Sequence, residues 1–155
     1  WEAEALKAMA KGARVNIMRL GVVLGSGGAL QQMLPAFKWR VGGPLGSGRQ
    51  WFPWVHIKEI ENACMFLIQN VETSGAFNFV GLEQVRQKQF AGKLGKALSR
   101  PAVIPAPAIV IKTVMGEMGR SLLQSQKAEP SALVDADYSF LFPDVTGALQ
   151  DILGK

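Results

Sequence analysis

The chain has 155 residues, 48% of them hydrophobic and 19% charged, a balance that excludes a disordered segment and suffices for one buried core. Its formal charge of +5 invites an anionic partner, yet Arg14, Arg19, Lys38, Arg40, Arg49, Arg86, Lys88, Lys93, Lys96 and Arg100 are scattered, with no Lys/Arg run longer than one residue, so nucleic acid is not expected. A single cysteine, Cys64, rules out an internal disulfide framework and a multi-cysteine zinc site, and no apolar run reaches the ~18 residues that span a bilayer, so neither metal nor membrane is an expected partner and a reducing, cytoplasmic location is expected.

The chain opens at Trp1 directly into Glu-Ala-Glu-Ala-Leu-Lys-Ala-Met-Ala, an uncapped helical pattern with Trp1, Ala5, Ala8 and Met9 on one side and Gly12 closing it, which is the expectation for a fragment. The β-branched, apolar run from Arg14 to Leu24 predicts a buried parallel strand. A turn, Gly25-Ser-Gly-Gly28, leads into a helical pattern from Ala29 to Trp39 in which Pro35 predicts a kink or break. Strand, glycine-rich turn and helix is the layout of a phosphate cradle, but the dinucleotide fingerprint fails here. Gly25 and Gly27 match its first two glycines, the third falls on Leu30, and no acidic residue follows before Glu59. A Gly-Lys-Ser/Thr is also missing, so no Walker loop is formed.

The densest stretch is Val41 to Glu59, which holds four glycines, two prolines, Trp51, Phe52, Trp54, Arg49 and the sole histidine, His56. Such content suits either a pocket wall for a small anion or a plain connection beside a core. Within and beyond it the pattern predicts a short strand from Trp51 to Val55 and an amphipathic helix from Ile57 to Gln69, with Ile60, Ala63, Cys64, Leu67 and Ile68 inward. Cys64 then reads as a buried, inert thiol. A strand from Ala76 to Val80 and a helix from Val85 to Leu98 follow, so helix and strand alternate and the fold class is α/β.

The texture changes at Arg100-Pro-Ala-Val-Ile-Pro-Ala-Pro107, an extended proline link. Beyond it the pattern predicts a helical run from Ala108 to Met115, an interruption at Gly116-Glu-Met-Gly119, a short helical piece from Arg120 to Gln124, a strand in Tyr138-Ser-Phe-Leu-Phe142 and a helix from Asp144 to Leu153. Two regions are therefore expected: an α/β part at 1–100 and a small, mostly helical cap at 101–155.

The succession Val-Asn-Ile-Met-Arg-Leu-Gly-Val-Val-Leu-Gly, Gly-Gly-Pro-Leu-Gly-Ser-Gly-Arg-Gln-Trp-Phe-Pro-Trp-Val-His-Ile, Ala-Phe-Asn-Phe-Val, Leu-Ser-Arg-Pro and Ser-Gln-Lys-Ala-Glu-Pro resembles the C-terminal part of the sugar-nucleotide epimerase-like family of extended short-chain dehydrogenases/reductases, with the family's C-terminal domain of unknown function. The resemblance covers nearly the whole chain. It implies a Rossmann-type fold whose cofactor-binding half, with the glycine loop for NAD or NADP and the Tyr-x-x-x-Lys pair, lies upstream. The sole tyrosine, Tyr138, has Phe142 four residues on and cannot replace that pair, so no catalytic residue is expected in this chain, and the chain alone is expected to be inactive.

The resemblance implies that Leu20, Gly21 and Val22 pass the cofactor, and that a small anionic substrate, a nucleotide sugar among the candidates, meets Arg49, Phe52, Trp54 and His56. Two positions depart from the family's pattern. Val22 stands where relatives carry a substrate-contacting asparagine, and Phe52 stands where an arginine holds the diphosphate. Arg49 is then the best remaining anion ligand by its planar fork, while His56 and Glu59 have structural readings as a junction anchor and a helix N-terminal charge. The departures leave a second class open, a non-catalytic anion-binding or protein-interaction module on the same fold. An exposed sheet edge predicts association with the missing N-terminal half or with another copy.

Overall fold

A computed structural model describes residues 2–154. The elements run α1 (Glu2–Met9), β1 (Asn16–Leu20), β2 (Val22–Leu24), α2 (Gly28–Lys38), β3 (Trp54–His56), α3 (Ile57–Gln69), β4 (Gly75–Phe79), α4 (Gln87–Leu98), α5 (Ala108–Leu123), α6 (Ser131–Asp135) and α7 (Val145–Leu153). Trp1, which the sequence pattern places on the first helix, lies outside the described residues.

The expected strand from Arg14 to Leu24 exists as two pieces that part at Gly21. β1 pairs in parallel with β4, Asn16 opposite Gly75 through Leu20 opposite Phe79, whereas β2 pairs in parallel with β3, Val22 opposite Trp54 through Leu24 opposite His56. The backbone changes partner within one residue: Gly21 N–H donates to Phe79 O at 3.1 Å and Val22 N–H to Pro53 O at 2.6 Å. A Cβ at Gly21 would overlap Pro53 O, so the crossing requires glycine. The strand is not buried as its sequence suggests. Met18, Arg19 and Leu20 are exposed, because β1 has a partner on one side only among the described residues.

α2 runs through Pro35 without a break, and α3 occupies the span its periodicity predicts. The main core joins Leu24, Leu30, Phe37, Phe52, Trp54, Phe90 and Leu94 to Ile111, Leu122, Val145 and Leu149. Apolar packing is thus continuous across residue 100, and the segment beyond it shares the core of the α/β part. α5 continues to Leu123 but turns at Gly116, whose φ of 56° and ψ of −129° are non-helical.

The strand expected at Tyr138–Phe142 is absent. Its backbone donors go to a side chain instead: Leu141 and Phe142 N–H donate to the two carboxylate oxygens of Glu59 at 3.3 and 2.9 Å, and the Tyr138 hydroxyl donates to Glu59 Oε1 at 2.5 Å. Glu59 is buried, and three donors compensate its removal from water. Glu83 does the same one step on, accepting from Lys93 Nζ at 2.6 Å and from Val145 N–H at 2.9 Å. Among the described residues no helix is long and apolar enough to cross a membrane.

Candidate functional site

A cleft of about 950 Å³ opens at the carboxyl ends of β1 and β4, the end at which open parallel sheets place their ligands. Its floor is the partner-exchange point: Leu20, Gly21 and Val22, with Val80 beyond β4 and Phe52 and Pro53 before β3. Gly28 and Ala29 at the start of α2 add one wall. The far wall comes from beyond the proline link, with Met118, Ser121 and Leu122 of α5 and the strap Gln124 to Ser131.

The strap is fastened at both ends. Trp51 N–H donates to Ser125 Oγ at 3.2 Å, and Asn78 Nδ2 donates to Glu129 O at 3.0 Å. Its Lys127 ammonium pairs with Glu129 Oε1 at 2.6 Å and stands 5.7 Å from the Trp51 ring centre. The guanidinium of Arg86 lies 3.7 Å from the same ring centre, a cation–π contact that fixes the indole in place. Arg19 supplies the other cation of the wall, held by two hydrogen bonds to Glu2 at 2.8 and 2.6 Å.

The residues singled out from the sequence divide here. Leu20, Gly21, Val22 and Phe52 line the cleft, although Phe52 also packs on Phe90 with ring centres 4.3 Å apart and is almost wholly buried. Arg49, Trp54 and His56 are not among the residues that line it. Arg49 is exposed, and its carbonyl accepts from Arg86 Nη1 at 2.7 Å. Trp54 is core, its indole N–H spent on Glu83 O at 2.9 Å.

His56 is buried at the N-terminus of α3, where its Nδ1 accepts from Lys58 N–H at 3.0 Å. The proton then belongs on Nε2, which faces Asp151 Oδ2 at 3.2 Å, and Phe142 stacks on the ring at 3.9 Å. Burial pushes the imidazole pKa below its ordinary value, partly opposed by Asp151. With its Nδ1 accepting from the backbone, His56 caps a helix. Tyr138 is equally committed: burial first, then the Glu59 carboxylate, push its hydroxyl pKa upward. It does not line the cleft either.

The glycine-rich stretch that singled out Val41 to Glu59 is a packing seam. A Cβ on Gly42 would strike the Phe37 ring, one on Gly43 the Ile104 backbone, and Leu45 forms a parallel bridge with Ala106. The buried amides of Gln50 and Gln87 hold Leu45, through Gln50 Nε2 to its carbonyl at 3.0 Å and its N–H to Gln87 Oε1 at 2.7 Å. Sequence reasoning missed the strap. Its only local signal, Ser-Gln-Lys-Ala-Glu-Pro, is polar and aperiodic, and its role arises from contacts to Trp51 and Asn78 far away in the chain.

Residues 106–152 match a domain of unknown function, DUF1731. The chain is 39% identical over 155 residues to the epimerase family protein SDR39U1 of Mus musculus, covering 99% of this chain and 53% of that protein. The structure of the human epimerase family protein SDR39U1 (isoform 2), solved with NADPH, superposes with a TM-score of 0.84 at 36% identity, over 92% of this chain and 49% of that one. A nucleoside-diphosphate sugar epimerase from Corynebacterium glutamicum superposes with a TM-score of 0.75 at 27% identity, over 99% of this chain and 29% of that one. The chain thus spans about half the length of the curated relatives it matches. Its mixed α/β architecture is that of the C-terminal portion of Rossmann-type short-chain dehydrogenase/reductase structures. Sequence, fold and the matched domain agree: the chain carries the DUF1731 domain, and its homologues are epimerase family proteins.

Proposed function

We propose that this chain forms the substrate-facing portion of an NAD(P)-dependent, epimerase-like oxidoreductase acting on a small anionic molecule, with nucleoside-diphosphate sugars as the first class to test. The observation that carries the reading is the cleft, walled jointly by the strand ends and by the segment that matches the family's domain of unknown function. Leu20, Gly21 and Val22 fit a nicotinamide cofactor. Leu20 is half-exposed and apolar, and Val22 beside it is apolar too. When bound, that cofactor supplies hydride chemistry. This chain's own residues orient and exclude: Phe52 and Val80 keep the floor dry, while Arg19 and Lys127 offer charge to an anion. Lys127 takes over the part that the sequence assigns to Arg49.

Neither Tyr138 nor His56 lines the cleft, so neither is assigned proton transfer. The exposed edge of β1 is the surface on which the cofactor-binding portion would continue the sheet. The second reading, a binding module without catalysis, is favoured by one observation, the packing of Phe52 into the core where relatives place an arginine.

Titration of NADPH, of NADH and of nucleoside-diphosphate sugars into the full-length protein, read by tryptophan fluorescence, tests the proposal because Trp51 lines the cleft. Leu20→Glu is expected to weaken NADPH binding by at least about tenfold through charge repulsion, and Lys127→Gln to weaken the anionic substrate. Absence of binding to both NADPH and NADH sinks the enzyme reading. NADPH binding without turnover of any anionic substrate favours the module.

A further inference from the structure

A second feature lies away from the cleft, on the face shared by α2 and the first half of α5. The side chains of Val41, Val110 and Val114 border a small apolar groove of about 120 Å³ between these helices. Around it, large apolar side chains point to solvent: Trp39 is 80% exposed, Ile109 79% and Val114 74%, with Ile104 nearby, where its backbone meets Gly43. In the first half of α5, from Ala108 to Met115, only Ile111 and, in part, Met115 turn inward. At 100° per residue, Ile109, Val110, Thr113 and Val114 form one outward arc with Lys112 at its margin. Thr113 turns its hydroxyl back onto Ile109 O at 2.9 Å, so its polar atom is spent within the helix.

The charged side chains on the two segments that build this face are all positive. No Asp or Glu occurs between Ala5 and Lys58, or between Gln84 and Gly116, the two segments that build it. Lys38 and Arg40 flank Trp39, Lys112 borders the α5 arc, and none of the three enters an ion pair among the described residues. An apolar face rimmed by unpaired cations is complementary to a surface that offers hydrocarbon and negative charge together.

We propose that this face docks on an anionic phospholipid surface, with Trp39, Ile109 and Val114 entering the headgroup region and Lys38, Arg40 and Lys112 meeting lipid phosphates. Two features favour a bilayer over a protein helix or a second copy. The apolar groups project outward instead of lining a deep groove, as a wedge does and a helix receptor does not. A second copy would bring two basic rims together. The absence of a spanning helix bears on crossing a membrane and leaves adhesion open.

The test is sedimentation of the full-length protein with phosphatidylcholine vesicles, with and without phosphatidylglycerol. Binding is expected only with phosphatidylglycerol and is expected to weaken as salt rises. Ile109→Ser with Val114→Ser is expected to reduce binding by about tenfold or more, because both side chains leave the hydrocarbon boundary. Lys38→Gln with Lys112→Gln is expected to reduce it by a comparable factor. These residues are exposed and outside the cleft, so NADPH binding is expected to be unchanged. Equal binding to both vesicle types, no binding to either, or undiminished binding of the Ile109/Val114 variant overturns the proposal. A concentration-dependent dimer lost in that variant overturns it too and assigns the face to a second copy.

Discussion

Glu59 shows how a single residue organises distant chain. Its carboxylate is buried and takes donors from Tyr138, Leu141 and Phe142, about eighty residues away. A hydrogen bond to a charged group contributes about 1.5–3 kcal/mol, so Tyr138→Phe is expected to lower the unfolding free energy by that amount in urea titration. His56 gives a pH dependence. Burial lowers its pKa in the folded chain below the ordinary value of about 6.5, so the unfolded chain binds a proton that the folded chain refuses. Stability from this residue is full above that ordinary value and is lost as pH falls toward the lowered folded value. The urea midpoint is expected to drop as pH falls below about 6.5, and less so in His56→Asn, which keeps a helix-capping acceptor.

At the scale of elements, legibility followed the range of the forces. α3 was readable to its ends because its apolar period and its capping residue are local. The strand from Arg14 to Leu24 was readable as a strand, but its change of partner at Gly21 depends on Pro53 and Phe79, and its exposure on how far the sheet extends. Tyr138 to Phe142 alternates like a strand, yet one carboxylate claims its donors. The cleft was half legible. Leu20 to Val22, Phe52, Lys127 and Glu129 all lie in stretches that carry the family resemblance, but that Lys127 and Glu129 face the strand ends, with Ser121 beside them, follows only from tertiary contact. The break in α5 is a glycine matter: Gly116 sits at positive φ with space around its Cα, so Gly116→Ala meets no clash but a strained backbone. A cost of about 1–2 kcal/mol is expected, measurable as a lower thermal midpoint.

Taken whole, the molecule has one principal core reached by both the α/β part and the segment matching DUF1731, with the cleft at their junction. A domain of unknown function placed this way works as a wall. Its strap, fixed by Ser125 and Glu129 to Trp51 and Asn78, bounds the cleft opposite the strand ends. Trp51→Ala removes the ring held by Arg86 and is expected to loosen the strap, read as faster hydrogen exchange at Ser125 to Glu129 with little change in α3.

The docking of Glu59 and Glu83 also has a consequence for the birth of the chain on the ribosome. Both carboxylates are made before their donors at Tyr138, Leu141, Phe142 and Val145. Until those donors emerge, Glu59 has either to stay in water, holding α3 off its seat, or to enter the core uncompensated. The seat of α3 therefore waits until Phe142 has emerged. A stop codon after Asp137 is expected to yield a chain that proteases cut within α3 and α4, although every residue of both helices is present.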